Sequence, residues 1–208
     1  MTLWYIDEDK DDLFTYKRQL QNITQNKIII NAVEPSANCA EMVQLILADS
    51  QTVAVVIDYR LGDASNGVCY NGLDLAKEIR KLNSKMPLYI LTNNSPDLSP
   101  DEWEIEYVLS KDDFISKKLT IAGRINRHIN IFFDLLTDSE KRFSELLKKS
   151  ISETLTADEL QEFEGLDYFR SAPLLEKEAA ETARLQKKLN EQEELLNKIK
   201  VKLEGANA

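Results

Sequence analysis

Short apolar runs alternate with amphipathic stretches over roughly the first 120 residues. Thr2–Ile6 is an apolar run that ends in acids. Asp11 to Gln25 carries Phe14, Leu20 and Ile23 among polar residues at about helical spacing. Lys27–Val33 (KIIINAV) is β-branched, and Ala37–Asp49 repeats Met42, Val43, Leu45, Ile46 and Leu47 as a helix buried on one side would. Val53–Ile57 (VAVVI) is apolar throughout, as expected of a central parallel strand covered on both faces. Gly72–Leu82 (GLDLAKEIRKL) predicts a helix, Leu88–Leu91 (LYIL) a strand, and Asp101–Ser110 a helix containing Trp103 and Tyr107. Phe114–Ser116 is expected as a short last strand, followed by a helix from near Thr120. Repeated β-α pairs of this kind predict a doubly wound, five-stranded parallel sheet.

Past Thr120 the strand pattern stops. Ile121, Ile125, Ile129, Phe132 and Leu136 follow at helical steps, and Phe143, Leu146, Leu147 and Ile151 resume them. Thr154 to Leu166 is another short helical stretch, and Pro173 punctuates the chain. From Leu175 a heptad emerges, with Leu175, Thr182, Leu189, Leu196 and Leu203 at one seam position. Glu178, Leu185, Gln192 and Ile199 occupy the other, and charges of both signs flank them. The expected division is therefore a sheet domain over 1–135 and a helical dimerisation or docking region over 136–208, with coiled coil at about 175–204. A single amphipathic helix folded back on the first domain is the alternative for that stretch.

Composition narrows the class. The 208 residues hold Lys+Arg 26 against Asp+Glu 36, a formal charge of -10, which argues against general nucleic-acid binding. No apolar run of membrane-spanning length occurs, and Met1–Asp7 lacks the features of a signal peptide. Cys39 and Cys69 fit no ligand spacing and read as reduced thiols, so a cytoplasmic protein without membrane association is expected. The one histidine, His128, lies in a helical stretch with no pattern of metal ligands or of a catalytic triad around it.

In an open α/β sheet, ligands bind beyond the carboxyl ends of the strands. Those ends deliver Asp7-Glu8-Asp9, Asp58, Thr92 and Lys117. Crowded carboxylates repel one another and suit a hard divalent cation, Mg²⁺ or Mn²⁺, which would also neutralise an incoming phosphoryl group. The Asp58 carboxylate can attack phosphorus, while the Thr92 hydroxyl and the Lys117 ammonium can hold phosphoryl oxygens. Asp9 reads better as the N-cap of the first helix.

Five segments in order, LWYIDED at 3–9, VVIDYRL at 55–61, NGLDLAKEIRKL at 71–82, MPLYILTNN at 86–94 and DDFISKKLT at 112–120, resemble the receiver domain of bacterial two-component response regulators over residues 2–130 or so. The resemblance implies the flavodoxin-like receiver fold. It gives Asp7 and Glu8 the part of the metal-binding acidic pair and Asp58 that of the phosphoacceptor. The Arg60 backbone carbonyl becomes a further metal ligand, Thr92 the switch hydroxyl, Lys117 the active-site lysine and Phe114 the aromatic whose rotamer reports the state. Lys118 stands where the family usually has a proline, and Gly62–Tyr70 lengthens the loop after the acceptor strand. A competing alignment makes Tyr107–Leu109 the last strand and Lys111 the lysine. It leaves Val108 in the aromatic position and breaks the DDFISKKLT match.

The resemblance further implies a non-enzymatic regulator, beyond Mg²⁺-dependent self-phosphorylation and slow dephosphorylation. A sensor histidine kinase or phosphotransfer protein would supply phosphate. The helical tail would form a homodimer or dock a downstream protein partner. Two alternatives stay open: a transcriptional regulator with a divergent DNA-binding end, and a phosphoryl sink or relay. LTADELQEFEGL at 155–166 resembles the opening of a helix-turn-helix module, but no basic recognition helix follows it.

Overall fold

The computed structural model describes residues 1–25, 27–62, 67–93, 105–168, 170–171, 182, 185–186, 188–190 and 192. Among them, β1 (Thr2–Ile6), β2 (Ile29–Val33), β3 (Thr52–Asp58), β4 (Leu88–Thr92) and β5 (Tyr107–Ser110) form one parallel sheet in the order β2-β1-β3-β4-β5. That order is the flavodoxin-like doubly wound arrangement, with a switch point between β1 and β3. Every residue of β1, β3 and β4 is buried. Such burial on both faces is why their sequences are continuous apolar runs rather than alternations.

Helices cover both faces. α1 (Lys10–Ile23) is capped by Asp9, whose side chain accepts from the backbone N–H groups of Asp11 and Asp12, and it buries Tyr16, Leu20 and Ile23. Phe14, expected on its apolar side, is 73% exposed instead, because it falls off the Tyr16–Leu20–Ile23 stripe. α1 lies beside α5 (Lys118–Ser152), and Asn126 Nδ2 donates to the Ile23 carbonyl at 2.9 Å, closing the end of α1. α2 (Cys39–Ala48) and α3 (Gly72–Leu82) pack together, with Met42, Val43, Ile46, Leu75, Ala76 and Ile79 turned to the core. Asn71 and Asp74 form a reciprocal capping box at the start of α3.

The end of the sheet differs from expectation. Residues 101–104 of the expected helix lie outside the described residues, and Tyr107–Ser110, its other end, is β5. β5 pairs with β4 from Tyr89↔Tyr107 to Thr92↔Ser110. The expected last strand, Phe114–Ser116, belongs to the helix α4 (Lys111–Ser116). Asp112 and Asp113 in its first turn favour a helix N-terminus, and helical spacing turns both Lys111 and Phe114 inward. α5 then starts at Lys118, slightly before the expected Thr120.

α5 runs for 35 residues, past the sheet. Ile121, Ile125, Ile129 and Phe132 bury against the core, while Phe143 and Leu146 are buried farther along. Residues 157–168 form α6, which returns along this extension. Its start is a second capping box, in which the Thr156 and Glu159 side chains each bond the other's backbone N–H. The Phe143 and Phe163 rings stack at 5.0 Å, Lys149–Glu159 and Arg142–Glu162 bridge the two helices, and Arg170, just past α6, pairs with Glu140.

The chain divides into two compact units, Met1–Arg170 and Ser171–Ala208. The expected boundary between 135 and 136 thus falls inside the unbroken α5. Of the expected coiled-coil seam, Leu175, Glu178, Leu196, Ile199 and Leu203 lie outside the described residues. Thr182, Leu185, Leu189 and Gln192 are helical and exposed. No described helix is long and apolar enough to cross a membrane.

Candidate functional site

Parallel registry brings the strand ends level. Ile6 pairs with Ile57, so the next residues, Asp7 and Asp58, emerge side by side, and Thr92 ends the neighbouring strand. A cavity of about 390 Å³ opens there, lined by Asp7, Glu8, Asp12, Asp58, Arg60, Thr92 and Lys111 among others. Asp7, Asp58, Thr92 and Lys111 are all buried. Gly72 allows this packing of loop and helix. A Cβ on it would lie 2.3 Å from the Asp58 carbonyl oxygen, so α3 can start against β3 only with glycine there.

Lys111 is a buried cation of the site. Its Nζ lies 2.8 Å from Asp58 Oδ1, 3.2 Å from Asp7 Oδ2 and 2.5 Å from Asp12 Oδ2, and 5.4 Å from the centre of the Tyr16 ring. Burial works against its charge, but the hydrogen bonds with Asp12 and Asp58 and the charges of Asp58 and Asp7 outweigh that and hold its pKa above the ordinary lysine value. Asp58 is pushed up to about 6, mainly by burial and further by Asp7, although Lys111 and the Arg60 N–H pull it down. Burial and the Asp7 charge outweigh Lys111 at Asp58, whereas the carboxylates outweigh burial at Lys111. The lysine keeps its proton.

The acids are held individually. Asp58 Oδ2 accepts from the Arg60 backbone N–H at 2.7 Å. Asp7 Oδ1 accepts from the Asp9 N–H at 3.0 Å, and Asp7 Oδ2 takes the hydroxyl of fully buried Tyr5 as well as Lys111. Burial, then Asp7, pushes the Tyr5 hydroxyl far above its usual range, so it remains a donor. Asp9 caps α1, as expected.

The expected lysine is elsewhere. Lys117 precedes α5, pairs with Asp113 at 2.9 Å, and has a side chain 63% exposed. It is displaced from the cavity because β5 ends at Ser110 and the next residue is Lys111, the arrangement of the competing alignment. Phe114 is buried in α4, its ring edge-on to Tyr16 at 5.8 Å, so it packs between helices rather than on the last strand. Nothing in the sequence marks Asp12 or Tyr5 for the site. Asp12 looked like any acid of a helical first turn, and Tyr5 like one more apolar strand residue. His128 lies apart, its Nδ1 2.8 Å from the Tyr89 hydroxyl and the two rings stacked.

Asp7, Glu8, Asp58 and Arg60 line the cavity, and carboxylate and backbone oxygens from them would make an all-oxygen donor set of the kind that suits Mg²⁺ or Mn²⁺. Among the described residues no three His, Cys, Asp or Glu side chains are grouped closely enough to hold a metal ion by themselves. Lys111 places a positive charge between Asp7 and Asp58.

Solved structures resemble this fold. A response regulator receiver domain protein from Clostridium thermocellum is 21% identical over 64% of this chain and 98% of its own, with a TM-score of 0.49. A response regulator receiver protein from Sinorhizobium medicae is 20% identical over 64% and 96%, with a TM-score of 0.45. A response regulator from Thermotoga maritima, solved in complex with Mg²⁺ and beryllium fluoride, is 18% identical over 58% and 97%, also at 0.45. No protein-family model and no curated protein matches the chain.

Proposed function

We propose that the protein is a two-component response regulator whose Asp58 accepts a phosphoryl group from a sensor histidine kinase or a phosphotransfer protein. One observation carries the reading: a buried carboxylate at the end of the central strand shares a buried lysine with a second strand-end acid, beside a strand-end hydroxyl. Asp58 would form the new oxygen–phosphorus bond as the bond from phosphorus to the donor's imidazole breaks, leaving the imidazole to take a proton from water. Thr92 and Lys111, rather than Lys117, would donate to the phosphoryl oxygens and disperse their charge. Asp7, Glu8, Asp58 and the Arg60 carbonyl would hold Mg²⁺ or Mn²⁺. When bound, that cation would supply charge neutralisation for the transferring group.

Output would pass through the helices. α5 begins directly after α4 and runs on as one continuous helix, so a change at the site has a rigid path away from it. Leu185 and Leu189 are 67% and 50% exposed, which suits a homodimer or a downstream protein partner at the heptad segment. Light scattering on the full chain and on one ending at Ser171 tests that part, and a monomeric full chain at tens of micromolar would contradict it.

The acceptor reading is tested on the intact protein. Acetyl phosphate with Mg²⁺ should add the mass of one phosphoryl group, and Asp58→Asn or a chelator should prevent the addition. Equal modification of the Asp58→Asn protein would overturn it.

A further inference from the structure

An ammonium has three N–H donors, and Lys111 has three carboxylates on it, those of Asp58, Asp7 and Asp12. Asp58 and Asp7 stand at strand ends, where the proposed reaction needs them. Asp12 does not. It lies in the first turn of α1, beside Asp11, and first-turn acids are ordinarily explained by the helix dipole alone. Asp11 fits that explanation, being exposed. Asp12 is turned instead onto a lysine only 5% exposed, at 2.5 Å, the shortest of the three contacts.

We propose that Asp12 is a positioning residue that holds Lys111 toward α1 and so sets how tightly the lysine takes a phosphoryl group on Asp58. The inference rests on the acceptor reading of Asp58. With all three donors engaged, the ammonium reaches a phosphoryl oxygen beyond Asp58 only by giving up an acceptor. Asp7 is the harder one to leave, because Tyr5 and the Asp9 N–H fix its carboxylate in the core. The Asp12 side chain is 33% exposed, so water can replace the lysine there at small cost. Lys111 therefore exchanges Asp12 for the phosphoryl group, and the Asp12 contact opposes the modified state.

Beryllofluoride, a phosphoryl mimic, titrated into the full chain at saturating Mg²⁺ tests this by calorimetry. Asp12→Asn should bind it about threefold tighter or better, the scale of a partly exposed ion pair, and Asp12→Glu should stay near the parent. The tightening should vanish when Asp12→Asn is placed in a Lys111→Met background, since Asp12 acts through the lysine. With lysine side chains carbon-13 labelled, the Lys111 resonance should move in Asp12→Asn before any beryllofluoride is added. Unchanged or weaker binding by Asp12→Asn, an unmoved Lys111 resonance, or tightening that persists without Lys111 would each overturn the proposal. A parent protein that binds no beryllofluoride with Mg²⁺ would overturn the acceptor reading itself, and this inference with it.

Discussion

Lys111 Nζ lies 2.8 Å from Asp58 Oδ1, while Lys117, the other lysine of the same stretch, pairs with Asp113 on the exposed side of α4. Only one of the two can serve the site. Replacing Lys111 with alanine should slow phosphorylation by acetyl phosphate about 100-fold or more, as loss of a donor to developing charge does elsewhere. Lys117→Ala should leave the rate within about twofold, the scale of a change in a surface ion pair. Rates followed by intact mass decide it, and the reverse ranking would restore Lys117.

Gly72 meets the Asp58 backbone, so a methyl group there must displace either α3 or the acceptor strand. Gly72→Ala should cost about 1–3 kcal/mol in urea unfolding, the range for overpacking a core, and should slow phosphorylation as well. Unchanged stability would mean that the start of α3 moves more freely than its capping box implies.

Asp58, at a pKa of about 6, should make stability depend on pH. Its folded value is raised above the unfolded one, so its contribution is present in full below about 3.9 and lost as pH rises through about 6. Asp58→Asn should therefore match the parent near pH 4. At pH 8 it should be more stable by on the order of 3 kcal/mol. Thermal melts across that window without Mg²⁺ give the comparison. A gain that grows toward acid would contradict the burial argument.

These expectations depend on features that differ in how plainly the sequence carries them. VAVVI and LYIL stand out as strands because burial on both faces leaves no polar position in them, and Asp58 and Thr92 follow as their ends. β5 is harder to see. It is a four-residue edge strand with Tyr107 46% exposed under Arg124, so YVLS lacks a strong apolar signal. Phe114 and Ile115, apolar neighbours farther on, attracted the strand assignment that belongs to YVLS, and Lys117 came with it. The Asp12–Lys111 contact joins residues 99 positions apart, and no local pattern announces such a pair. Tyr5 is concealed for another reason. Its ring is as apolar as its neighbours, and only its hydroxyl reaches Asp7.

The α5–α6 hairpin should have its own acid limit. Glu159 is held down to about 2, chiefly by its hydrogen bond with Lys149 and then by the Thr156 N–H. A lowered carboxylate pKa contributes stability above the unfolded value, about 4.3, and that contribution is lost as pH falls through about 2. Phe163→Ala should uncover the Phe143 ring and cost about 1–3 kcal/mol, since Phe163 is half-buried. Glu159→Gln should weaken the pH dependence of α6 amide protection between about pH 4.3 and 2, leaving the part that Glu162 carries through Arg142. Hydrogen exchange of the amides at 157–168 reads both variants, and protection unaffected by either would show that α6 holds without these contacts.

The most direct measurement locates the phosphoryl group itself. The full chain is incubated with acetyl phosphate and Mg²⁺ and then treated with borohydride, which reduces an aspartyl phosphate to homoserine and releases phosphate. Tandem mass spectrometry of the peptides should find homoserine at position 58, and none in protein kept from the phosphodonor. Homoserine at another aspartate, or at none while the intact mass still rises, would contradict the account.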